Sequence, residues 1–257
     1  MLYDDGRRPF FRPKPYAITR AKLSAARLDQ PTMGKKRVAF IHTSPAAVGP
    51  LMQFYAEAAP ELEITNLLDD GLLRLLAAGD AATAEARLTD MIRVAAETYG
   101  AEAAMITCSS VSKEAAGRIA QKFELPVLKI DYPMAREAVR TGLRVGVAAT
   151  FPPTLVPTRR LITEAAEEAG TRVEIVEKIA QGAYDALLSG DPERHDELLV
   201  ETVSDLEAQG VSTVVLAQVS MARVLPKLDG RVRVPVLSSL HTSLAAVRES
   251  LGLGARA

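Results

Sequence analysis

The sequence predicts an α/β protein made of two pseudo-symmetric parallel-sheet lobes from an internal duplication, with a site in the cleft between them. Three observations carry that expectation. Arg37-Val-Ala-Phe-Ile-His-Thr43 returns as Arg144-Val-Gly-Val-Ala-Ala-Thr150, and the same offset of 107 pairs Pro45 with Pro152, Pro50 with Pro157 and Glu57-Ala-Ala59 with Glu164-Ala-Ala166. Further on, Ala104-Met-Ile-Thr-Cys-Ser-Ser110 is echoed by Val214-Val-Leu-Ala-Gln-Val-Ser220, and Pro126-Val-Leu128 by Pro235-Val-Leu237. Finally, strand-like runs that are apolar throughout alternate with helical patterns, which is the signature of parallel sheets covered on both faces.

The elements follow in order. Residues 38–41 form a short apolar run stopped by His42-Thr-Ser-Pro45, a buried strand. Residues 51–59 have helical spacing, and 62–67 read as the second strand. Residues 72–77 and 82–99 read as helices, the longer closed by Gly100. A strand at 103–107, a helix at 113–123, a strand at 127–130 and a helix at 134–141 complete the first half. The second half repeats the plan, with strands at 145–149, 172–177, 213–218 and 236–238. Its helices fall at 158–169, 180–188, 193–209, 222–228 and 243–251, and the third of these opens with Asp191-Pro192 and stops at Gly210. The expected organisation is a loose, disordered N-terminal extension over 1–35, a first lobe over 36–142 and a second over 143–257. The last helix is free to cross back onto the first lobe. Met33-Gly-Lys-Lys36 also marks a possible true start, and an arm packed on a dimer partner is the other reading of the extension.

Composition excludes several classes of function. At 257 residues the chain can bury one large core or two modest ones. A net charge of -1 gives no electrostatic case for nucleic acid or an acidic membrane surface. No apolar stretch approaches the roughly 18–20 residues of a bilayer span, and the basic N-terminus lacks the apolar core of a signal peptide. One cysteine forms no internal disulfide and no cysteine-rich zinc site, so no metal is expected. A lone thiol fits a reducing compartment, the cytoplasm. Val48-Gly-Pro50 and Leu251-Gly-Leu-Gly254 lack the strand–turn–helix context of a nucleotide loop.

In parallel sheets, ligands sit beyond the carboxyl ends of the strands. There the sequence places His42, Thr43 and Ser44, then Cys108, Ser109 and Ser110, then Thr150, then Gln218 and Ser220, and last Ser238. Hydroxyls beside helix starts suit a carboxylate or another small oxyanion, although turn chemistry alone also favours Ser and Thr there. Cys108 ends a buried strand and precedes a helix, where the helix dipole favours thiolate; a lone cysteine can also be a small buried hydrophobe. The duplication sets Cys108 opposite Gln218. His42 is expected to orient the thiol, and His195, in the polar start Asp191-Pro-Glu-Arg-His195, to be solvated.

From about Lys36 to Leu251 the chain resembles the aspartate/glutamate racemase superfamily, which includes hydantoin racemases, maleate isomerases and arylmalonate decarboxylases. The resemblance rests on the duplication, on Thr107-Cys-Ser-Ser110, on Val145-Gly-Val-Ala-Ala-Thr150 and on Pro235-Val-Leu-Ser-Ser239. It implies a cofactor-independent isomerase that moves a proton at a carbon next to a carboxylate or carbonyl, with Cys108 catalytic. Thr43, Ser44, Ser109, Ser110, Thr150, Ser220 and Ser238 would hold oxyanions. It further implies a small carboxylate or carbonyl substrate, no cofactor, and a dimer to which the 82–99 helix could contribute. Family racemases use a thiol on each side of the carbon; here Gln218 stands at the second position, and an amide neither gives nor takes a proton near neutral pH. His241 is the best substitute, or else simply a helix-start histidine. The alternatives are a single-cysteine lyase, decarboxylating a substituted malonate, and a non-catalytic small-anion-binding protein. Thiol hydrolysis of the amidotransferase kind is weaker, because Cys108 lacks a glycine-flanked elbow.

Overall fold

The computed structural model describes residues 34–254. The expected N-terminal extension therefore lies, except for its last two residues, outside the described residues. Two all-parallel four-stranded sheets carry the fold. The first, in the order β2-β1-β3-β4, is built from β1 (Lys36–His42), β2 (Leu62–Leu68), β3 (Ala103–Ile106) and β4 (Val127–Lys129). The second, β6-β5-β7-β8, repeats that order with β5 (Arg144–Ala149), β6 (Glu174–Ile179), β7 (Thr213–Leu216) and β8 (Val236–Ser238). The central strands β1, β3, β5 and β7 are buried along nearly their whole length, as their unbroken apolar runs require.

The helices are α1 (Val48–Ala58), α2 (Leu72–Ala77), α3 (Ala81–Glu97), α4 (Lys113–Ala120), α5 (Tyr132–Thr141), α6 (Leu155–Glu168), α7 (Ala183–Leu188), α8 (Pro192–Ala208), α9 (Leu225–Leu228) and α10 (Ser239–Ser250). Short polar side chains start α3, α4 and α8. Asp80 accepts from the Thr83 N–H (3.1 Å), Ser112 from Ala115 (3.1 Å) and Asp191 from Arg194 (3.0 Å). Beyond the matching helices α3 and α8, Gly100 and Gly210 take φ of 63° and 76°, which only glycine adopts without strain.

Two 3₁₀ turns, Pro45–Ala47 and Pro152–Thr154, were not expected from the pattern, and a third, Val219–Val224, takes the first part of the helix expected at 222–228; each follows a central strand. The second strand of the second half starts at Glu174 rather than 172, and α6 starts at Leu155 rather than 158.

Each sheet is covered on both faces. On the first, α3 and α4 contribute Leu88, Ile92 and Ile119 to a core with Ile41 and Ile106, while α1 covers the other face with Leu51 and Tyr55. The helix that closes each half packs on the other half's sheet. Met134, Ala135, Ala138 and Val139 of α5 are buried with Val145, Val147 and Ile162 of the second half. Leu240, Leu244 and Val247 of α10 are buried with Val38, Phe40 and Tyr55 of the first. The exchange is pinned by polar contacts: Tyr55 Oη lies 2.9 Å from Ser243 Oγ, and Arg248 donates to Glu61 (2.8 Å) and to the Ala58 carbonyl (2.7 Å).

Candidate active site at the strand ends

The ladder between β1 and β3 ends at Ile41 and Ile106, so the next residues, His42 and Thr107, stand side by side. Thr107 Oγ1 lies 2.8 Å from His42 Nδ1 and 3.1 Å from the Ile41 carbonyl, and His42 Nε2 lies 2.9 Å from Asn66 Oδ1 on β2. His42 is fully buried. Desolvation lowers its pKa below 6.5, an effect that the Asn66 hydrogen bond partly opposes. In a neutral ring whose Nε2–H donates to Asn66, Nδ1 accepts from the Thr107 hydroxyl, whose one proton is then shared between Nδ1 and the Ile41 carbonyl. Both nitrogens are thus occupied. His42 holds Thr107, the neighbour of Cys108, and not the thiol itself as the sequence suggested.

Cys108 lies just beyond β3 and keeps 7 % of its surface exposed, packed in the core that contains Ile41, Leu72 and Val111. The chain then opens toward solvent: Ser109 is half-buried and Ser110 exposed. Thr43 is buried and Ser44 half-buried at the end of β1.

At the corresponding place in the second half, Gln218 is tied to Thr150. Its Oε1 accepts from the Thr150 backbone N–H (2.8 Å) and from Thr150 Oγ1 (3.0 Å). A backbone N–H can only donate, so the amide orientation is fixed and the two Nε2–H bonds are directed away from Thr150. Both Thr150 donors are engaged in this clamp, which leaves the donor role to Gln218 itself. Ser220 is half-buried in the turn that follows.

Ser238 is buried and lies 2.9 Å from His241 Nδ1. His241 is exposed, sets its ring edge against Phe54 at 4.8 Å between centroids, and has a pKa lowered by partial desolvation.

The structure therefore joins three sets of residues: His42 with Thr107, Thr150 with Gln218, and Ser238 with His241. Asn66 and Thr107, the two partners of His42, were not singled out from the sequence, because nothing in a strand pattern marks a cross-strand polar pair. His195 corrects an expectation. It is fully buried, with Nδ1 2.9 Å from Asp196 and Nε2 lacking a hydrogen-bond partner. Its helix start is polar, but the fourth residue of α8 faces the core. Among the described residues no group of three or more His, Cys, Asp or Glu side chains is gathered as metal ligands, and no helix is long and apolar enough to cross a membrane.

Two cavities lie along α10, and neither has Cys108, Thr150 or Gln218 in its walls. One, about 1460 Å³, runs between α5, α6 and α10 past Leu128, Arg136, Leu237 and His241. The other, about 780 Å³, lies against Phe54, Leu244 and Leu253. These grooves follow the seam of the exchanged helices, whereas the thiol and the amide sit where parallel sheets bind ligands.

Two parallel four-stranded sheets of the same strand order, each covered by helices on both faces, make a racemase-type α/β fold. The Asp/Glu/hydantoin racemase family model matches residues 23–247, and the chain belongs to that family. Among solved structures, it is similar to an aspartate racemase homologue from Pyrococcus horikoshii OT3 (TM-score 0.64, 17 % identity, covering 85 % of this chain and 98 % of that one). The allantoin racemase from Klebsiella pneumoniae is also similar (TM-score 0.61, 18 % identity, 86 % and 91 % covered), as is unliganded arylmalonate decarboxylase (TM-score 0.54, 17 % identity, 86 % and 95 % covered). No curated protein matches the chain in sequence.

Proposed function

We propose that this isomerase-family chain is a cofactor-independent enzyme that transfers a proton at a carbon next to a carboxylate or carbonyl, with Cys108 as the acid or base. The observation that carries the reading is the placement of the only thiol just beyond β3, ahead of α4, in a family of racemases. The Cys108 thiolate would take the Cα proton while the C–H electron pair moves into the adjacent carboxylate as an enediolate. The Gln218 amide, Ser109, Ser110 and Ser220, with Thr43 and Ser44 of the first half, would stabilise the developing oxyanion. Ser238, held by His241, would shape that end of the site, and His42 would position Thr107.

Gln218 favours one-sided chemistry. With no acid on the second face, the proton returns to the face it left, so solvent exchange would outrun inversion. The same asymmetry supports a second reading, a lyase. There the C–CO₂ electron pair would pass into the enediolate, carbon dioxide would leave, and the Cys108 thiol would protonate the carbon.

NMR-monitored exchange in deuterium oxide, over a panel of amino acids, hydantoins and substituted malonates, tests both readings. Exchange without inversion is expected, and release of carbon dioxide selects the lyase. Ligand bound unchanged throughout would select the non-catalytic anion-binding alternative. Cys108→Ala should lower turnover by at least about 10³-fold, in the range of a lost acid–base group or beyond, with an unchanged circular dichroism spectrum; an active Cys108→Ala enzyme removes the mechanism. We further place the protein in the cytoplasm, as its lone thiol suggests, and as a dimer in solution, which sedimentation equilibrium measures directly.

A further inference from the structure

We propose that residues 109–114 form a lid over Cys108, plugged by Val111 and fastened to the second half through Lys113 and Glu114, and that this lid lifts to admit substrate. The inference rests on the reading of Cys108 as the reacting group and adds how a substrate reaches it.

A thiol that acts on a carbon must be met by that carbon, yet Cys108 is 7 % exposed and lines neither cavity. The segment that follows it helps to close it in. The chain turns at Ser109-Ser110, where the Val111 N–H donates to the Cys108 carbonyl (3.4 Å). That turn brings Val111, 1 % exposed, into the same core as the thiol. Ser112 then caps α4 by accepting from the Ala115 N–H (3.1 Å), which joins the turn and the first turn of the helix into one piece.

The outer side of this piece is held by the other half. Arg160 of α6 donates to Glu114 (3.1 Å). Lys113 pairs with Glu168 at the end of α6, and its Nζ lies 5.1 Å from the centre of the Tyr132 ring, whose hydroxyl donates to the same carboxylate. The four charged side chains keep between 28 % and 61 % of their surface exposed. Exposed pairs of this kind are worth little singly and are weakened by salt. They suit a fastening that opens and closes.

The duplicate segment is fastened differently. Arg223 stands five residues after Gln218, as Lys113 does after Cys108, but its carboxylate, Asp196, is buried and belongs to its own half. The chain there runs through a continuous 3₁₀ turn, Val219–Val224, whereas 109–112 is a turn and a bend. The half that carries the thiol is thus the one whose following segment is irregular and tied to the other half.

Because the chain has a single cysteine, alkylation reads the lid directly. The full chain is treated with iodoacetamide in about 0.02 M sodium chloride, and the rate of Cys108 modification is followed by mass spectrometry. Arg160→Gln combined with Glu168→Gln removes one charge of each sign and should speed modification by about 3- to 20-fold, the combined worth of two exposed pairs. Glu168→Lys alone, which sets two lysines together, should also speed it, and adding Lys113→Glu should bring the rate back to within about twofold of the wild type. The wild-type rate should itself rise as sodium chloride is raised to about 0.5 M. Four results would each overturn the lid: a gain under about threefold in the double Gln variant, a charge swap that stays fast, a wild-type rate that is flat or falls with salt, or an equal gain in Arg194→Gln, which breaks an exposed pair with Glu197 on another helix. Turnover is not read, so a chain whose thiol responds as expected but which exchanges no Cα proton defeats the proton-transfer reading and leaves the lid standing.

Discussion

His42 shows how a residue at a strand end can be wholly engaged by its neighbours, one ring nitrogen with Thr107 and the other with Asn66. With its folded pKa below 6.5, the unfolded chain binds this proton more readily than the folded one. Its contribution to stability is present above pH 6.5 and is lost as pH falls from there toward the folded pKa. Urea denaturation between pH 7.5 and 5 should show stability falling across that window, with a shallower fall in His42→Gln. At Gln218 the question is mechanical. Thr150→Val removes the hydroxyl arm of the clamp while keeping the backbone arm, and should cost about 1 kcal/mol, the net worth of one hydrogen bond. The position of the thiol at a strand end was legible in the sequence, since an apolar run followed by Cys-Ser-Ser allows little else. The roles of histidines were not: His42 and His195 both look polar in sequence and are both fully buried, because partners brought from other strands or the packed face of a helix decide exposure.

At the level of elements, the strands and nearly every helix could be read from hydrophobic period and capping, whereas the order of the strands within each sheet came only with the structure. The destinations of α5 and α10 could not. An amphipathic stripe states that a face must be buried, and says nothing of which sheet will bury it; the last helix was only foreseen as free to cross. Leu244→Ala, which opens a hole between α10 and the first sheet, should cost about 2–5 kcal/mol, measured by chemical denaturation. The junction between the halves is tight as well. A Cβ on Gly142 would come within 2.3 Å of Ser212 Cβ and 2.6 Å of its Oγ. Gly142→Ala should therefore destabilise by about 1–3 kcal/mol through overpacking, and Ser212→Gly should recover most of the loss in the double variant.

Across the whole molecule the two halves hold similar clusters of one carboxylate and two cations. In the first half Glu85 of α3 meets Arg118 (2.6 Å) and Lys122 (3.7 Å), two cations one turn apart. In the second, Asp196 of α8 meets Arg223 and Lys227, each at 2.9 Å and again one turn apart. The clusters differ in depth. Glu85 keeps 16 % of its side chain exposed, whereas Asp196 keeps 1 % beneath the half-exposed side chains of its partners. Burial pushes the Asp196 pKa up, but Lys227, His195 and Arg223 outweigh it and leave the carboxyl below the usual range. Asp196→Asn should cost about 2–3 kcal/mol, less than a fully desolvated pair because its cations are partly screened by water. Glu85→Gln should cost under about 1 kcal/mol, and thermal melts of the two variants compare them directly.

The reciprocal trade of closing helices has a consequence for ancestry. A gene specifying one half alone would make a polypeptide that leaves one sheet face only partly covered, by its own α1 or α6, until a twin lends it the second helix. The forerunner of this chain would then have been an obligate pair of identical subunits linked by swapped tails, and fusion would have freed each copy to drift. Only after such a merger could sulfur be kept at one strand terminus and given up at the other.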